Sequence, residues 1–417
     1  MEDVLPASYF APASPLPTPR TVIHSHGDPH GPSVFPGTGD LLGLHTDTDA
    51  DADDASDAVS IATTPALTQD EDGTASLESR SIRSSSPTRS VYSLTSSLRE
   101  QAFREVHGRS VNAHSDVYLL PADDEETRRL DAQHHMLDRL VPGILGPVDE
   151  VLREEEGKAK AVLDLGTGSA VWAIQLALQY PHVEVVGVDL APMQTRDFPP
   201  NCRVEVDDIN LGMPHFHGQF DFVHARLISS GIKDYCGLIH EIARVLRPGG
   251  MILIEEWDFR MYRSVDSHDG PNASYELAPP STEEKPYWSA LSEWLRLLGL
   301  AVRQRGGDVD AAAFVNLWIR QHGGFEDFGY QDVWIATQPH FTGKDRWARF
   351  RNELAVAMRT DTRAFLQAGM PLLRSHTDDS EYIDRLIREA EQEVVECKKH
   401  QYVRLQCTWA TLKHPDR

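Results

Sequence analysis

Val162-Leu163-Asp164-Leu165-Gly166-Thr167-Gly168-Ser169-Ala170 decides the fold, because an apolar strand runs directly into a glycine turn. Gly166 and Gly168 let the backbone bend tightly and approach a ligand that a Cβ atom would exclude. A helix-length apolar segment, residues 171–179, follows the turn. Strand, glycine turn and helix in this order are typical of a nucleotide-binding unit in an open α/β sheet.

The same alternation continues outward from this unit. Apolar runs predict strands at residues 160–165, 183–188, 202–206, 220–225, 250–256, 331–336 and 402–409. Helical segments lie between them, such as residues 238–246, which end at the stop signal Arg247-Pro-Gly-Gly250. The pattern predicts a doubly wound α/β fold with a mostly parallel sheet and crossover helices.

The spacing of the turn discriminates between cofactors. A nicotinamide fingerprint requires Gly or Ala five residues after its first glycine, and this chain has Val171 there. Asp164, two residues before Gly166, is instead typical of turns that bind S-adenosylmethionine. We therefore expect a methyl-donor site whose first contacts are Asp164, Gly166, Thr167 and Gly168.

Acidic residues also follow the next two predicted strands. Asp189, followed by Leu190, can accept hydrogen bonds from both hydroxyls of a ribose. One carboxylate of the pair Asp207 and Asp208 can accept the adenine amino group. Asp208 fits slightly better, because Ile209 directly after it can pack on the ring. Two solvated acids in a loop remain the alternative.

The fourth strand ends in His224 and Arg226, where open α/β sheets place their ligands. Methyl transfer requires alignment of the reactants and, for some acceptors, removal of a proton. His224 is a candidate for that base, and a packed structural histidine is the commoner alternative. Residues Glu255-Glu-Trp-Asp258 on the fifth strand are candidates for the acceptor pocket, with a capping or solvated role as the alternative. No cluster has the spacing of a metal site.

Composition narrows the class of protein further. The 417-residue chain carries a formal net charge of -24. This charge argues against direct nucleic-acid binding and against attachment to an anionic membrane, because both need a basic face. The cysteines show no close pairing and are expected to be reduced. The chain shows no leader pattern and no long apolar segment, so we expect an intracellular protein of the nucleus or the cytoplasm.

Three regions differ in composition. Residues 1–98 are rich in Pro, Ser, Thr, Gly and Asp, and are expected to form a disordered acidic tail. Residues 99–157 contain Asp123-Asp-Glu-Glu126 ahead of an amphipathic run, which predicts helices. Residues 158–417 are expected to form one catalytic domain with helical insertions at about 259–330 and 338–400.

Together these motifs resemble the LaeA-like fungal methyltransferases, which are related to the TAM-domain group. The specific parts are Leu119-Leu-Pro-Ala-Asp-Asp-Glu-Glu126, Arg129-Leu-Asp-Ala-Gln-His-His135, residues 162–168, Asp207-Asp208, Phe222-Val-His-Ala-Arg226 and Leu246-Arg-Pro-Gly-Gly250. The resemblance extends over about residues 117–262 and returns weakly near 324–327 and in the last strand.

The resemblance implies a seven-stranded sheet with an antiparallel last strand, and S-adenosylmethionine as the cofactor. It also implies that the first helix folds over the cofactor, so that Gln133 and His134 help to close the site. Polar residues on an exposed helix face are the alternative for these two. The chain departs from the family at Ser169-Ala-Val-Trp172, where a Thr-Gly-Ile-Trp-like stretch is usual, so that Ala170 replaces a third glycine.

The expected function is that of an S-adenosylmethionine-dependent methyltransferase whose acceptor, a small molecule or a protein, the sequence leaves open. The resemblance implies a role in regulating fungal secondary metabolism or development. The alternative is a regulatory scaffold that binds the cofactor and acts through protein partners without methyl transfer, and the long acidic tail motivates it.

Overall fold

The computed structural model describes residues 101–192, 196–265, 273–279 and 288–414. All of these residues belong to one compact unit. The predicted acidic tail, residues 1–98, lies outside the described residues. The described chain begins with a hairpin of β1 (Phe103–Val106) and β2 (Arg109–Asn112), followed by helices α1 (Asp124–Leu140) and α2 (Val148–Val151).

Nine strands make up the central sheet of this described part. Its parallel strands are β3 (Lys160–Leu165), β4 (Val183–Asp189), β5 (Cys202–Val206), β6 (Phe220–Arg226) and β7 (Leu246–Trp257). The remaining strands are β8 (Tyr262–Ser264), β9 (Tyr275–Leu277), β10 (Phe325–Ala336) and β11 (Gln401–Leu412). Neighbouring strands follow the order β5, β4, β3, β6, β7, β11, β8 and β9, and β10 also pairs with β11.

The predicted doubly wound, mostly parallel sheet is confirmed, and the last strand, β11, runs antiparallel to β7. The sheet nevertheless has two strands more than the seven predicted. These are β8 and β9, which pair with each other, while β8 also pairs with the beginning of β11. Each has only three residues, too few for a recognisable alternation of apolar and polar side chains.

Helices α3 (Val171–Gln179) and α4 (Tyr235–Val245) lie between the parallel strands in sequence, close to their predicted bounds. The insertions contain α5 (Ala290–Gln304), α6 (Ala311–His322), α7 (Arg346–Ala368), α8 (Met370–His376) and α9 (Ser380–Glu396). Trp294, Leu298, Leu373 and Ile383 from these helices share one buried apolar cluster. None of the described helices combines the length and the apolar character that a bilayer crossing requires.

Strand β3 lies at the point where the order of the sheet reverses, with β4 on one side and β6 on the other. Its residues Val162, Leu163 and Leu165 are fully buried, as expected for a parallel strand that is covered on both faces. The carboxyl ends of β3, β4 and β6 therefore open at one common edge. Open α/β sheets bind their ligands at such an edge.

Candidate cofactor and acceptor site

The turn after β3 has a backbone conformation that glycine adopts without strain. Gly166 and Gly168 have φ angles of 66° and 56°. A Cβ atom on Gly166 would lie 2.4 Å from Cγ2 of Ile228, so the turn leaves no room for a side chain. The Thr167 hydroxyl donates a hydrogen bond to Oδ2 of Asp164 over 2.6 Å and ties the turn to the strand end.

Ala170, where the family usually has a third glycine, lies at the start of α3 with a left-handed φ of 54°. This conformation costs an alanine residue about 1 kcal/mol. The turn therefore keeps the backbone path suited to glycine although the residue has changed.

Asp189 braces the glycine turn from the neighbouring strand. Its Oδ2 accepts the backbone N–H of Gly168 over 2.8 Å, and its Oδ1 accepts that of Ala191 over 3.1 Å. Burial raises the pKa of this carboxyl group. Asp189 and Leu190 both line the cavity that opens above the turn, which is where the predicted ribose contact requires them.

The structure separates the two acids that follow β5. Asp208 caps a short 3-10 turn, Ile209–Leu211, because its Oδ1 accepts both the backbone N–H of Asn210, over 3.0 Å, and its side-chain amide, over 2.9 Å. Asp207 and Ile209 line the cavity, whereas Asp208 does not. The structure therefore contradicts the preference for Asp208 as the adenine contact, because the Asp208 carboxylate caps the turn whereas Asp207 lines the cavity.

His224 lies between two carboxylates instead of facing an acceptor with a free nitrogen. Its Nδ1 is 2.7 Å from Oδ1 of Asp164, and its Nε2 is 3.4 Å from Oε2 of Glu255. The ring is 1% exposed and stacks on Trp172 with centroids 3.7 Å apart. Burial opposes a charge, but the bonds to Asp164 and Glu255 outweigh it and raise the pKa of His224.

This geometry contradicts the prediction that His224 is a general base. Both ring nitrogens of His224 lie against carboxylate oxygens, so neither is free to accept a proton from an acceptor in the cavity. His224 lines the cavity and acts by holding Asp164 in place beside the glycine turn.

Arg226, which lines the cavity, forms a polar contact with His134 of α1. Arg226 donates from Nη2 to Nδ1 of His134 over 3.0 Å, and His134 donates from Nε2 to Oε1 of Gln175 over 2.6 Å. Burial and the neighbouring guanidinium lower the pKa of His134 to about 4, so the ring is neutral. His134 lines a separate, smaller cavity of about 50 Å³, whereas Gln133 lines the main one. Of the two residues expected to close the site, the structure places only Gln133 there.

The main cavity has a volume of about 220 Å³ and lies above the glycine turn. One side consists of the lining residues within 164–172, 188–190, 207–210, 224–232 and 256–258, which we call the strand wall. The facing side consists of the lining residues within 129–133 of α1, 291–295 of α5 and 358–365 of α7, which we call the helix wall. The expected acceptor residues Glu256, Trp257 and Asp258 belong to the strand wall, whereas Glu255 lies behind it against His224.

A buried ion pair joins two helices of the helix wall. Arg129 of α1 donates from Nη1 to Oδ1 of Asp361 in α7 over 2.8 Å, and from Nη2 to Glu126 over 2.7 Å. The Gln133 amide donates to the other oxygen of Asp361 over 3.0 Å. We call this contact the Arg129–Asp361 bridge; it closes the cavity with side chains that are 8% and 6% exposed.

The residues present fit S-adenosylmethionine, whose sulfonium and ammonium groups are cationic. The cavity lining contains six carboxylates, those of Asp164, Asp189, Asp207, Glu256, Asp258 and Asp361. Two guanidinium groups, of Arg129 and Arg226, and the His224 imidazole oppose them. An acidic cavity over a turn that carries glycine at positions 166 and 168 suits such a ligand. Among the described residues, no group of three His, Cys, Asp or Glu side chains is placed to hold a metal ion.

Two features that shape the site, Gly187 and the Arg129–Asp361 bridge, were not predicted from the sequence. Gly187 lies inside β4, and a Cβ atom there would lie 2.8 Å from Oγ1 of Thr167, so this glycine makes room for the turn. A glycine within an apolar strand is a signal for such a close approach. The Arg129–Asp361 bridge joins residues far apart in the chain and leaves no local pattern.

Known proteins with similar sequences include methyltransferases and a fungal regulator. The profile of a methyltransferase-domain family matches residues 134–305. The chain is 40% identical over 313 residues to the secondary metabolism regulator laeA of Coprinopsis cinerea, covering 74% of this chain and 73% of that one.

More distant relatives are named as enzymes. Methyltransferase pytC of Aspergillus terreus is 32% identical over 238 residues, which are 56% of this chain and 65%, or just under two thirds, of that protein. The protein-methionine methyltransferase laeA of Emericella nidulans is 26% identical over 277 residues, 66% of each chain. The glycine turn, the acidic cavity above it and these similarities lead to one assignment: the chain belongs to the LaeA-like S-adenosylmethionine-dependent methyltransferases.

Proposed function

We propose that this protein methylates an acceptor held in the main cavity and that this activity regulates fungal secondary metabolism. The observation that carries the proposal is a single cavity that extends from the glycine turn to the helix wall. The similarity to the Coprinopsis cinerea regulator supports the regulatory part. Action inside the cell, in the nucleus or the cytoplasm, and contacts with regulatory protein partners belong to the same proposal.

Different residues would bind the cofactor and align the acceptor. S-adenosylmethionine, when bound, supplies an electrophilic methyl group on a sulfonium sulfur. The glycine turn and Asp164 would hold its amino-acid end, Asp189 its ribose and Asp207 its adenine amino group. The helix wall would exclude water and hold the acceptor in line, which is the main requirement of a displacement at carbon.

A transfer assay with labelled S-adenosylmethionine tests this function. The full-length protein is incubated with a fungal protein extract and, separately, with a fungal metabolite extract. The wild type should transfer label in at least one of them. Asp189→Ala should lower cofactor affinity by roughly 1.5–3 kcal/mol, because hydrogen bonds to a charged group are lost, and should lower transfer at limiting cofactor. Asp379→Ala, a helix cap of α9 outside the cavity, serves as the control.

Complementation of a strain that lacks this gene separates the enzyme from a scaffold. Wild-type protein should restore the secondary metabolites, and a variant that no longer binds the cofactor should not. Full rescue by such a variant, expressed at the wild-type level, would favour the scaffold and refute the proposed enzymatic role.

A further inference from the structure

Glu256 is a carboxylate of the cavity wall that is not among the residues proposed to contact the cofactor. It lies at the end of β7, is 1% exposed and belongs to the strand wall. Its Oε1 accepts the backbone N–H groups of Ile228, over 2.9 Å, and Ser229, over 3.1 Å, and the hydroxyl of Tyr235, over 2.9 Å. These donors from the loop after β6 and from α4, together with the Ser229 side chain, hold this carboxyl group in one orientation.

The other cavity carboxylates have partners that explain them. Asp189 accepts backbone N–H groups next to the predicted ribose position. The remaining four lie beside basic side chains, in the pairs Asp164–His224, Asp207–His215, Asp258–Arg404 and Asp361–Arg129. Among the described residues, no Arg, Lys or His side chain forms an ion pair with Glu256.

A carboxylate without a basic partner at this depth is costly, because burial disfavours its charged form. Burial accordingly raises the pKa of Glu256 to about 7. A carboxyl group that is poised near neutral pH and fixed in a cavity wall is suited to taking up a proton. Tyr235, whose phenol touches it, has a pKa raised well above its usual value by burial, and so remains a donor.

The charges around the cavity also restrict the acceptor. Arg129 is held by Glu126 and Asp361, and Arg226 donates to His134. Both guanidinium groups that line the cavity thus already serve protein partners, and an anionic acceptor would meet mainly carboxylates. The helix wall contributes Leu291, Trp294, Met358 and Phe365, which favour an apolar body.

We propose that Glu256 is the general base of the reaction and that the acceptor is a neutral, largely apolar molecule with a phenolic hydroxyl group. This inference rests on the proposed methyltransferase function. As a lone pair of the hydroxyl oxygen forms the bond to the methyl carbon, the carbon–sulfur bond breaks and its electrons stay on sulfur. The hydroxyl proton moves to the Glu256 carboxylate and then to solvent, and the products are a methyl ether and S-adenosylhomocysteine.

The acidity of the acceptor hydroxyl favours a phenol over an aliphatic alcohol. A phenol, with a pKa of about 10, is close enough to Glu256 for transfer during bond formation, whereas an aliphatic alcohol is a far weaker acid. A thioether acceptor carries no proton and would need no base. The need for a general base therefore distinguishes this protein from an enzyme that methylates methionine.

The test uses two probes that share an apolar ring system, naphthol and methylthionaphthalene. Label transfer from S-adenosylmethionine is measured for the wild type, for Glu256→Gln and for Glu293→Gln. The glutamine retains an oxygen that can accept the three hydrogen bonds, so the loop remains braced. Glu293 is a buried carboxylate of α5 that pairs with Arg296 outside the cavity, and its variant is the matched control.

The wild type and Glu293→Gln should methylate naphthol, at a rate that rises with pH about a midpoint near 7. Glu256→Gln should be slower by about 100-fold or more and lack this pH dependence, while it binds S-adenosylmethionine with unchanged affinity.

A Glu256→Gln rate within about threefold of the wild type would overturn the role of Glu256. Preferred transfer to methylthionaphthalene would overturn the acceptor class and leave the methyltransferase function standing. Transfer to neither probe would also overturn the acceptor class, and the assay with extracts would then decide the function separately.

Discussion

The two walls of the cavity are held together by different means. Positions within the strand wall follow from the register of hydrogen-bonded strands, in which Asp164 lies opposite His224 and Arg226 lies opposite Glu255. The helix wall is assembled from α1, α5 and α7, which are distant in sequence and meet through side chains. The Arg129–Asp361 bridge is the buried ion pair that links two of them.

This difference has a consequence for function. Backbone register fixes the residues of the cofactor side relative to one another, so that small changes there disturb both folding and cofactor binding. Side-chain packing on the acceptor side can change while the cofactor remains bound. Variants at the glycine turn and at Asp189 in the strand wall should therefore affect cofactor affinity, and variants on the helix wall should affect stability or acceptor choice.

The largest effect is expected from His224→Asn. This change leaves Asp164 and Glu255 without their buried counter-charge, which costs roughly 3–5 kcal/mol. Because the pKa of His224 is raised in the folded protein, its stabilisation is present below about pH 6.5 and is lost as the pH rises through the raised value.

The deficit in the free energy of unfolding should consequently be largest at about pH 6 and smaller at about pH 9, as measured by denaturant titration. His182→Asn, which removes a histidine bonded to the Leu152 carbonyl, is the control. An equal deficit at both pH values would contradict a charged His224.

Gly166→Ala should be the next most damaging change. The positive φ costs about 1–2 kcal/mol, and the contact with Ile228 adds about 1–3 kcal/mol of overpacking. Thermal unfolding and calorimetric titration with S-adenosylmethionine would measure both the loss of stability and the loss of affinity. Gly157→Ala has a similar φ of 77° but no atom within 4 Å, so it isolates the backbone contribution. Equal losses in the two variants would argue against a steric role for Ile228.

Asp361→Ala tests the helix wall. It removes one partner of the Arg129–Asp361 bridge but leaves Glu126 to hold Arg129, so we expect a loss of about 2 kcal/mol of stability. Cofactor affinity should change by less than about tenfold, a limit of about 1.4 kcal/mol. Asp384→Ala, which breaks the half-exposed pair with Arg374, should cost under about 1 kcal/mol. Abolished cofactor binding in Asp361→Ala would show that the two walls are not separable.

The smallest effect is expected from Ala170→Gly. Relief of the left-handed conformation, about 1 kcal/mol, is largely offset by the added freedom of glycine in the unfolded chain, about 0.5–1 kcal/mol. The free energy of unfolding should change by less than about 0.5 kcal/mol, measured by denaturant titration. A loss of more than about 2 kcal/mol would mean that the Ala170 methyl group fills space in the buried cluster around α3.

The strand wall could largely be predicted, because each of its residues follows a recognisable strand. Asp164, Gly166, Gly168 and Asp189 lie where spacing along the chain placed them. The two corrections, at Asp208 and His224, share one cause. A polar residue at a strand end can satisfy its hydrogen bonds locally or face the ligand, and the sequence does not distinguish these outcomes.

The helix wall could not be predicted in the same way. The helices were recognisable from apolar periodicity, but Arg129 and Asp361 are paired only because α1 and α7 pack together across the cavity. Glu256 was identified as a residue of the acceptor pocket, whereas the donors that hold it come from the loop after β6 and from α4.

By itself, the sequence determined the doubly wound sheet, the glycine turn and the class of cofactor, because these depend on short-range patterns that are read within one strand–turn–helix unit. Only the tertiary structure decided that Asp207 lines the cavity whereas Asp208 does not, that His224 is held between two acids, and that Glu256 has no basic partner among the described residues. Those properties depend on burial and on partners from distant elements, which no local pattern of residues specifies.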